Sequence, residues 1–173
     1  MEKFVVFLRG INVGGNKKVP MSELKLLLER SGFKNVKTVL ASGNVIFERE
    51  EKETAEIQNI MEKYFGFSIP TIVVPFDVIS RLTKSGPFQN IDITKETVCY
   101  VTLLNEKTVS TIAIPSQVQD QSFQIIHVSD VAVFSVIDKK KIKTTEVMKF
   151  LEKEFGKTIT TRNYNTILKI ANL

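Results

Sequence analysis

The sequence predicts an α+β protein built from two ferredoxin-like (β-α-β-β-α-β) halves that pack together, followed by a C-terminal helix. Apolar residues alternate at strand spacing in some segments and recur at helical spacing in others, and the same order of segments occurs twice. An internal match supports duplication, because MEKYFGFSIPT from 61 and LEKEFGKTITT from 151 share six residues in one register, 90 positions apart. A chain of 173 residues is long enough for two small halves with real cores.

The first half is expected over residues 1–75. Pro20 suits the first turn of a helix, where its missing N–H costs nothing, and Gly32 suits a helix end. The segment ASGN at 41–44 separates two β-rich runs and is a hairpin signal. The expected strands are 3–8, 36–40, 44–47 and 69–74, and the expected helices are 20–31 and 52–65.

The second half is expected over residues 97–173, after a connecting helix and loop at 76–96. It repeats the pattern of the first half, with a hairpin around Ser129-Asp130 and a helix that ends at Gly156. The expected strands are 97–104, 123–128, 131–137 and 158–161, with a short helical turn at 108–114, a helix at 145–155 and the terminal helix from Arg162.

The first strand is apolar on both faces, with Val5 and Phe7 on one side. Such a strand must be covered on both faces, so we expect the two halves to share a buried contact. This coverage disfavours RNA binding through an open sheet. The expected partner strand also carries Asn44 and Ile46 where RNA-recognition sheets need stacking aromatics.

The net charge of +5 lies entirely in the last part of the chain. Residues 1–137 carry 15 basic and 15 acidic side chains, whereas residues 138–173 carry 9 and 4. This excess indicates an anionic partner, with a solvated lysine-rich surface at 139–141 as the alternative.

The apolar run after Met1 is too short for a signal sequence or a membrane span, and Cys99 has no partner for a disulfide, so we expect a cytoplasmic protein without membrane contact.

The segment RGINVGGNKKVPM at 9–21 is the first candidate site, because it runs from a strand into a helix. Backbone N–H groups and a helix N-terminus at such a place can hold an anion. Gly10 and Gly15 have the first spacing of a phosphate-binding loop, but Asn16 precedes Lys17 and Lys18 stands where Ser or Thr is needed. The alternative is that the glycines only permit a tight turn.

The segment TTRNYNTILKIANL at 160–173 is the second candidate. With Thr161 as N-cap, a helix would place Arg162, Asn165, Thr166 and Lys169 on one face, opposite an apolar face that packs. The alternative is an ordinary amphipathic terminal helix.

Three blocks carry a resemblance to a known family, namely RGINVGGNKKVPM, SGNVIF at 42–47 and TTRNYNT at 160–166. They are similar to the signature blocks of the domain-of-unknown-function 1697 family, over essentially the whole chain. Tyr164 stands where that family more often has Trp. The resemblance implies an α+β fold with ferredoxin-like halves, and it implies no activity, substrate or cofactor.

The sequence offers little for acid–base or metal chemistry. His127 is the only histidine and lies in an expected strand, and Cys99 lies in another, where structural roles are the usual ones. We therefore expect neither a metal nor a cofactor, and whether the protein is an enzyme stays open.

From these observations we expect a binding protein for an anionic ligand, either a nucleic acid segment or a phosphorylated small molecule. The alternatives are an enzyme acting on a phosphate- or carboxylate-bearing substrate, or a scaffold that docks an acidic protein. We also expect the two candidate segments to converge on one surface, with the ASGN turn as a third wall. The expected ligand-binding residues are Arg9, Asn12, Gly14, Gly15, Lys17, Lys18, Ser42, Asn44, Arg162, Asn163 and Asn165.

Overall fold

The computed structural model describes residues 1–49, 55–105, 116–118 and 122–173. Over these residues it has nine strands in two antiparallel sheets and five helices, which confirms the α+β class. The elements are β1 (Glu2–Leu8), α1 (Met21–Arg30), β2 (Lys34–Val39), β3 (Asn44–Arg49), α2 (Ala55–Phe65), β4 (Thr71–Pro75), α3 (Phe76–Lys84), β5 (Thr97–Leu104), β6 (Ser116–Val118), β7 (Phe123–Val128), β8 (Ala132–Asp138), α4 (Thr144–Phe155), β9 (Ile159–Asn163) and α5 (Tyr164–Ala171).

The first sheet has the strand order β2-β3-β1-β4. Its central strand β1 pairs antiparallel with β3 and with β4, so that Val5 lies opposite Ile46 on one side and Val74 on the other. Leu24 and Leu28 of α1 and Met61 of α2 are buried in one core with residues of this sheet. Burial of these side chains is the main stabilising contribution to this half.

Both faces of β1 are buried, as its sequence predicts. Phe4, Val6 and Leu8 belong to the core that includes the helices, while Val5 and Phe7 on the other face are 0% exposed. The face that carries Val5 and Phe7 is therefore closed to nucleic acid.

The second sheet has the strand order β6-β7-β8-β5-β9. The predicted hairpin is present as β7 and β8, and its turn is closed by Ser129, whose N–H donates to Ala132 O at 2.8 Å. Val147, Leu151 and Phe155 of α4 are buried in the core that includes residues of this sheet. Strand β6 is an edge strand that the sequence pattern does not predict, and the helical turn expected at 108–114 lies outside the described residues.

The chain divides into two compact units, residues 1–81 with 169–173 and residues 82–168. Each is described by itself below. The boundaries expected at 75 and 97, and the buried contact between the halves, stay predictions. In the described part of the chain, no helix combines the length and the apolar character that crossing a membrane requires.

Candidate functional site at the glycine hairpin

Residues 12–17 form a very short hairpin, here called the glycine hairpin. Asn12 N–H donates to Lys17 O at 3.1 Å, and Asn16 N–H donates to Val13 O at 3.3 Å. Gly14 and Gly15 at the tip have φ of 62° and 78°. A two-residue turn with positive φ at both positions needs glycine or a similarly permissive residue. The two glycines therefore have a structural role in this turn.

The side chain of Asn12 ties the glycine hairpin to the rest of the unit. Its Oδ1 accepts a hydrogen bond from Val19 N at 2.8 Å, and its Nδ2 donates to Val19 O at 3.1 Å and to Ala41 O at 2.9 Å. Asn12 itself has φ of 57°, a conformation that asparagine tolerates better than most residues. These three bonds fix the loop and occupy the amide that the sequence predicts as a ligand contact.

The ASGN turn at 41–44 packs closely against the residues that lead into the glycine hairpin. A Cβ on Gly43 would lie 2.8 Å from Ile11 Cδ1 and 2.9 Å from Leu8 Cβ, so only glycine fits there. Asn44 is 0% exposed, and its Nδ2 donates to Val39 O at 2.7 Å and to Ser42 Oγ at 3.1 Å. The side chain of Asn44 therefore stabilises the turn, and it is not accessible to a ligand.

The exposed positive charge of this region comes from Lys17 and Lys18. Lys17 Nζ donates to Ser68 O at 3.1 Å, on the connection between α2 and β4. The ammonium group of Lys18 has neither a hydrogen bond nor an ion pair within the part of the chain that the structure describes. Arg9 is half-buried, and its backbone N–H donates to Pro70 O at 2.9 Å. The two lysines are therefore the cations best placed to meet an anion.

Glu62 organises the connection on which Lys17 rests. Its Oε1 accepts hydrogen bonds from Ile69 N at 2.9 Å, from Ser68 Oγ at 3.1 Å and from Gln58 Nε2 at 2.9 Å. The hydrogen bond from Ile69 N is the main cause that holds the pKa of Glu62 below its ordinary value, and the charge of Lys17 acts in the same direction. No sequence motif predicts this role for Glu62, because Ser68 and Ile69 reach its carboxylate only once the turn after α2 has formed.

Helix α1 begins directly after the loop. Pro20 precedes its first residue, and among the residues that the structure describes no side chain caps the N–H groups of its first turn. Such groups, together with the helix macrodipole, attract anions. Glu23 in the first turn offsets part of this attraction.

The second candidate segment differs from its expected structure. Arg162 and Asn163 lie in strand β9, opposite Val101 and Tyr100 of β5, so Thr161 is not the N-cap and Arg162 is not helical. The cap is Asn163, whose Oδ1 accepts a hydrogen bond from Asn165 N at 2.9 Å. The prediction failed because pairing with β5 extends the strand by two residues, a long-range effect that local pattern does not contain.

The side chain of Arg162 turns back on its own strand. Its Nη1 donates to Thr160 Oγ1 at 2.8 Å and to Thr161 O at 3.0 Å. Thr166, expected on a polar face, is 8% exposed. Asn165 and Lys169 are exposed in α5, and of the expected ligand residues only Asn165 lies in this helix. Because Arg162 and the glycine hairpin belong to different units, their expected convergence stays a prediction.

The described residues include no group of three or more His, Cys, Asp or Glu side chains that could hold a metal ion. Cys99 is a buried free thiol whose pKa is raised by burial, so little of the reactive thiolate is present near neutral pH. His127 is exposed and its ring lies beside Phe134, with 5.8 Å between ring centroids.

Comparisons with known proteins agree with the fold. A solved structure titled conserved bacterial protein SP0830 from Streptococcus pneumoniae is similar to this chain, with a TM-score of 0.71 and 21% sequence identity. The similarity covers 99% of this chain and 97% of that chain, and at this identity it shows the fold alone. No protein with curated annotation matches the chain.

Fold and site together define an α+β protein of two antiparallel sheets with an exposed, lysine-bearing glycine hairpin. Residues 1–134 match the model of a family described as a protein of unknown function (DUF1697). The chain belongs to this family, as the glycine-rich and SGNVIF blocks predict. The TTRNYNT block lies beyond the matched residues.

Proposed function

We propose that this protein binds a phosphate-bearing anion at the glycine hairpin and the N-terminus of α1. One observation carries the proposal: Lys17 and Lys18 are exposed on a loop that hydrogen bonds hold in place immediately before an uncapped helix N-terminus. Lysine ammonium groups and free backbone N–H groups are the groups that proteins commonly use to hold phosphate.

The rigidity of the loop favours binding. Asn12 makes three hydrogen bonds, and Lys17 is anchored on Ser68 O. A loop that is already ordered loses little conformational entropy when a ligand binds, so more of the interaction energy appears as affinity. At Gly14 and Gly15 the space that a Cβ would occupy is open, and an anion can approach the backbone there.

The proposal keeps two further expectations. The two halves are ferredoxin-like, which is supported by the order β2-β3-β1-β4 of the first sheet and the matching order β7-β8-β5-β9 within the second. The protein acts in the cytoplasm, and a lone Cys99 that remains a buried free thiol is consistent with this location.

A thermal-shift measurement with sodium tripolyphosphate tests the proposed function. A ligand that binds only the folded state raises the melting temperature, so the unmodified protein should melt higher with tripolyphosphate and less so in high salt. Lys18→Ala should reduce this shift, because it removes an exposed cation without touching the core. Lys95→Ala, at an exposed lysine in the other unit, is the matched control and should behave like the unmodified protein. Equal shifts for Lys18→Ala and the unmodified protein would overturn the proposal.

A further inference from the structure

A row of aromatic rings lies at the end of α2 and on the connection that follows it. Tyr64 is 51% exposed, while Phe65 and Phe67 are half-buried and pack with one side against the core of the first unit. The ring centroids of Tyr64 and Phe65 are 5.0 Å apart, and those of Phe65 and Phe67 are 6.2 Å apart. Contiguous apolar surface that stays exposed marks interaction sites on proteins, and Tyr64 is the most exposed part of this row.

Two hydrogen bonds place this row beside the glycine hairpin. At one end, Lys17 Nζ donates to the backbone oxygen of Ser68, the residue after Phe67. At the other end, Tyr64 Oη donates to Glu23 Oε1 at 2.8 Å, on the first turn of α1. The aromatic row therefore extends from Lys17 to the N-terminal turn of α1, along the region proposed above to hold phosphate.

We infer that the ligand is single-stranded nucleic acid, whose bases stack on this aromatic row while its phosphates meet Lys17 and Lys18. The inference rests on the proposed anion site and adds the class of its ligand. Aromatic rings beside cations are a combination that proteins use to bind single strands, since every base has a face that can stack. A duplex hides those faces, and a free phosphate has none.

Charged side chains near the aromatic row indicate how much of the binding energy comes from electrostatic attraction and how much from base stacking. Glu23 accepts from Tyr64, and Glu62 accepts from Ser68 and is close enough to Lys17 for their charges to interact, so two carboxylates lie along the row. Arg30 is exposed and close enough to Tyr64 to act on its hydroxyl electrostatically. The local positive charge is thus modest, and stacking contributes a large share of the affinity. Binding should therefore depend strongly on the ring of Tyr64.

Fluorescence anisotropy with a labelled single-stranded oligothymidylate tests this inference. Tyr64→Leu, which removes the ring but stays apolar, should weaken binding about tenfold or more. Tyr64→Phe keeps the ring and loses the bond to Glu23, so its affinity should stay within about twofold. Lys18→Ala should make the plot of log affinity against log salt concentration less steep, by about 0.7 in slope, because one phosphate contact is lost. Ile93→Ser, at a residue 61% exposed in the other unit, is the control for loss of an exposed apolar side chain.

The outcomes separate the inference from the proposed function. A duplex of the same sequence should bind more weakly than the single strand. Equal affinity for duplex and single strand overturns the single-strand inference. The inference is also overturned if Tyr64→Leu, with the same melting temperature as Tyr64→Phe, binds the oligonucleotide as tightly as the unmodified protein. Tripolyphosphate binding that depends on Lys18, without oligonucleotide binding, overturns the inference and leaves the proposed function intact. Absence of binding to either ligand overturns both.

Discussion

The glycine hairpin and the terminal segment 160–166 look alike in sequence, because each combines cations with amide side chains and leads into a helix. Their structures use these residues differently. In the glycine hairpin, positive φ at Gly14 and Gly15 turns the chain within two residues, and Lys18 points to solvent. In the terminal segment, the chain stays extended in β9, and Arg162 bonds to Thr160 and Thr161 of its own strand.

The difference shows that backbone conformation, more than composition, decides which polar groups remain for a ligand. A hairpin fixed by one side chain, Asn12, leaves the side chains of Lys17 and Lys18 exposed. A strand fixed by its neighbour brings side chains such as Arg162 against hydroxyl and carbonyl groups of the same strand. This difference is why we propose the hairpin, and not the terminal segment, as the anion site.

The largest expected effect comes from Gly43, beneath the hairpin. Gly43→Ala should lower the free energy of unfolding by about 2–5 kcal/mol. The backbone at this position has φ of 79°, which strains alanine, and the new Cβ would lie closer than 3.0 Å to side-chain atoms of Ile11 and Leu8. Urea unfolding followed by circular dichroism measures the change. Gly66→Ala is the control, since Gly66 has φ of 77° with open space around it, and should cost only the backbone strain of about 1–2 kcal/mol. Equal losses for both variants would contradict the close packing under the hairpin.

A smaller loss is expected at Asn12. Asn12→Ala removes three hydrogen bonds and should cost about 2 kcal/mol in the free energy of unfolding. The tripolyphosphate-induced rise in melting temperature should also shrink, because the lysines are no longer held in place. Asn12→Asp keeps the oxygen that accepts from Val19 N but turns a second acceptor oxygen toward Val19 O and Ala41 O, so it should not restore the stability lost in Asn12→Ala. Unchanged stability together with an unchanged ligand shift would show that Asn12 does not organise the hairpin.

The corresponding change in the terminal segment should be milder still. Asn163→Ala removes the N-cap of α5 and should cost about 1 kcal/mol, while Asn163→Ser should recover most of it. Because this asparagine serves the helix, the tripolyphosphate shift should equal that of the unmodified protein. If both Asn163→Ala and Asn163→Ser lost the tripolyphosphate shift, although Asn163→Ser keeps the helix cap, Asn163 would return to the ligand site.

Much of the fold was predictable because its signals are local. The continuous apolar run in β1, Pro20 before α1 and the ASGN turn between β2 and β3 each reflect a preference of a few adjacent residues. The same holds for the turn at Gly14 and Gly15, whose positive φ the glycines permit.

The remaining features depend on partners far along the chain. Strand β9 continues to Asn163 because β5 pairs with it, and Asn12 contacts Ala41, 29 positions away. The bond from Lys17 to Ser68 spans 51 positions. No local pattern contains such contacts, so the division of the candidate residues into ligand-facing and structural ones required the structure.

The smallest expected effects are changes in the pKa of two tyrosines. Tyr64 lies beside the glycine hairpin, and Tyr164 lies in the terminal segment. The pKa of Tyr64 is raised mainly because its hydroxyl donates to Glu23, whereas the pKa of Tyr164 is raised mainly by burial and further by nearby Cys99. Glu23→Gln should therefore lower the pKa of Tyr64 toward its ordinary value and leave Tyr164 unchanged. Cys99→Ala should lower the pKa of Tyr164 alone.

Titration of the tyrosine ζ-carbons by ¹³C NMR measures both pKa values, with Tyr64→Phe assigning the Tyr64 signal. A folded-state pKa above the ordinary value means that the bond to Glu23 contributes stability that is fully present below the ordinary pKa. That contribution is lost as pH rises through the folded-state pKa, because Tyr64 then ionises beside a carboxylate. Stability of the Glu23→Gln variant should accordingly fall less steeply at alkaline pH than that of the unmodified protein. If Glu23→Gln moved the pKa of Tyr164 as much as that of Tyr64, the two segments would not be electrostatically independent.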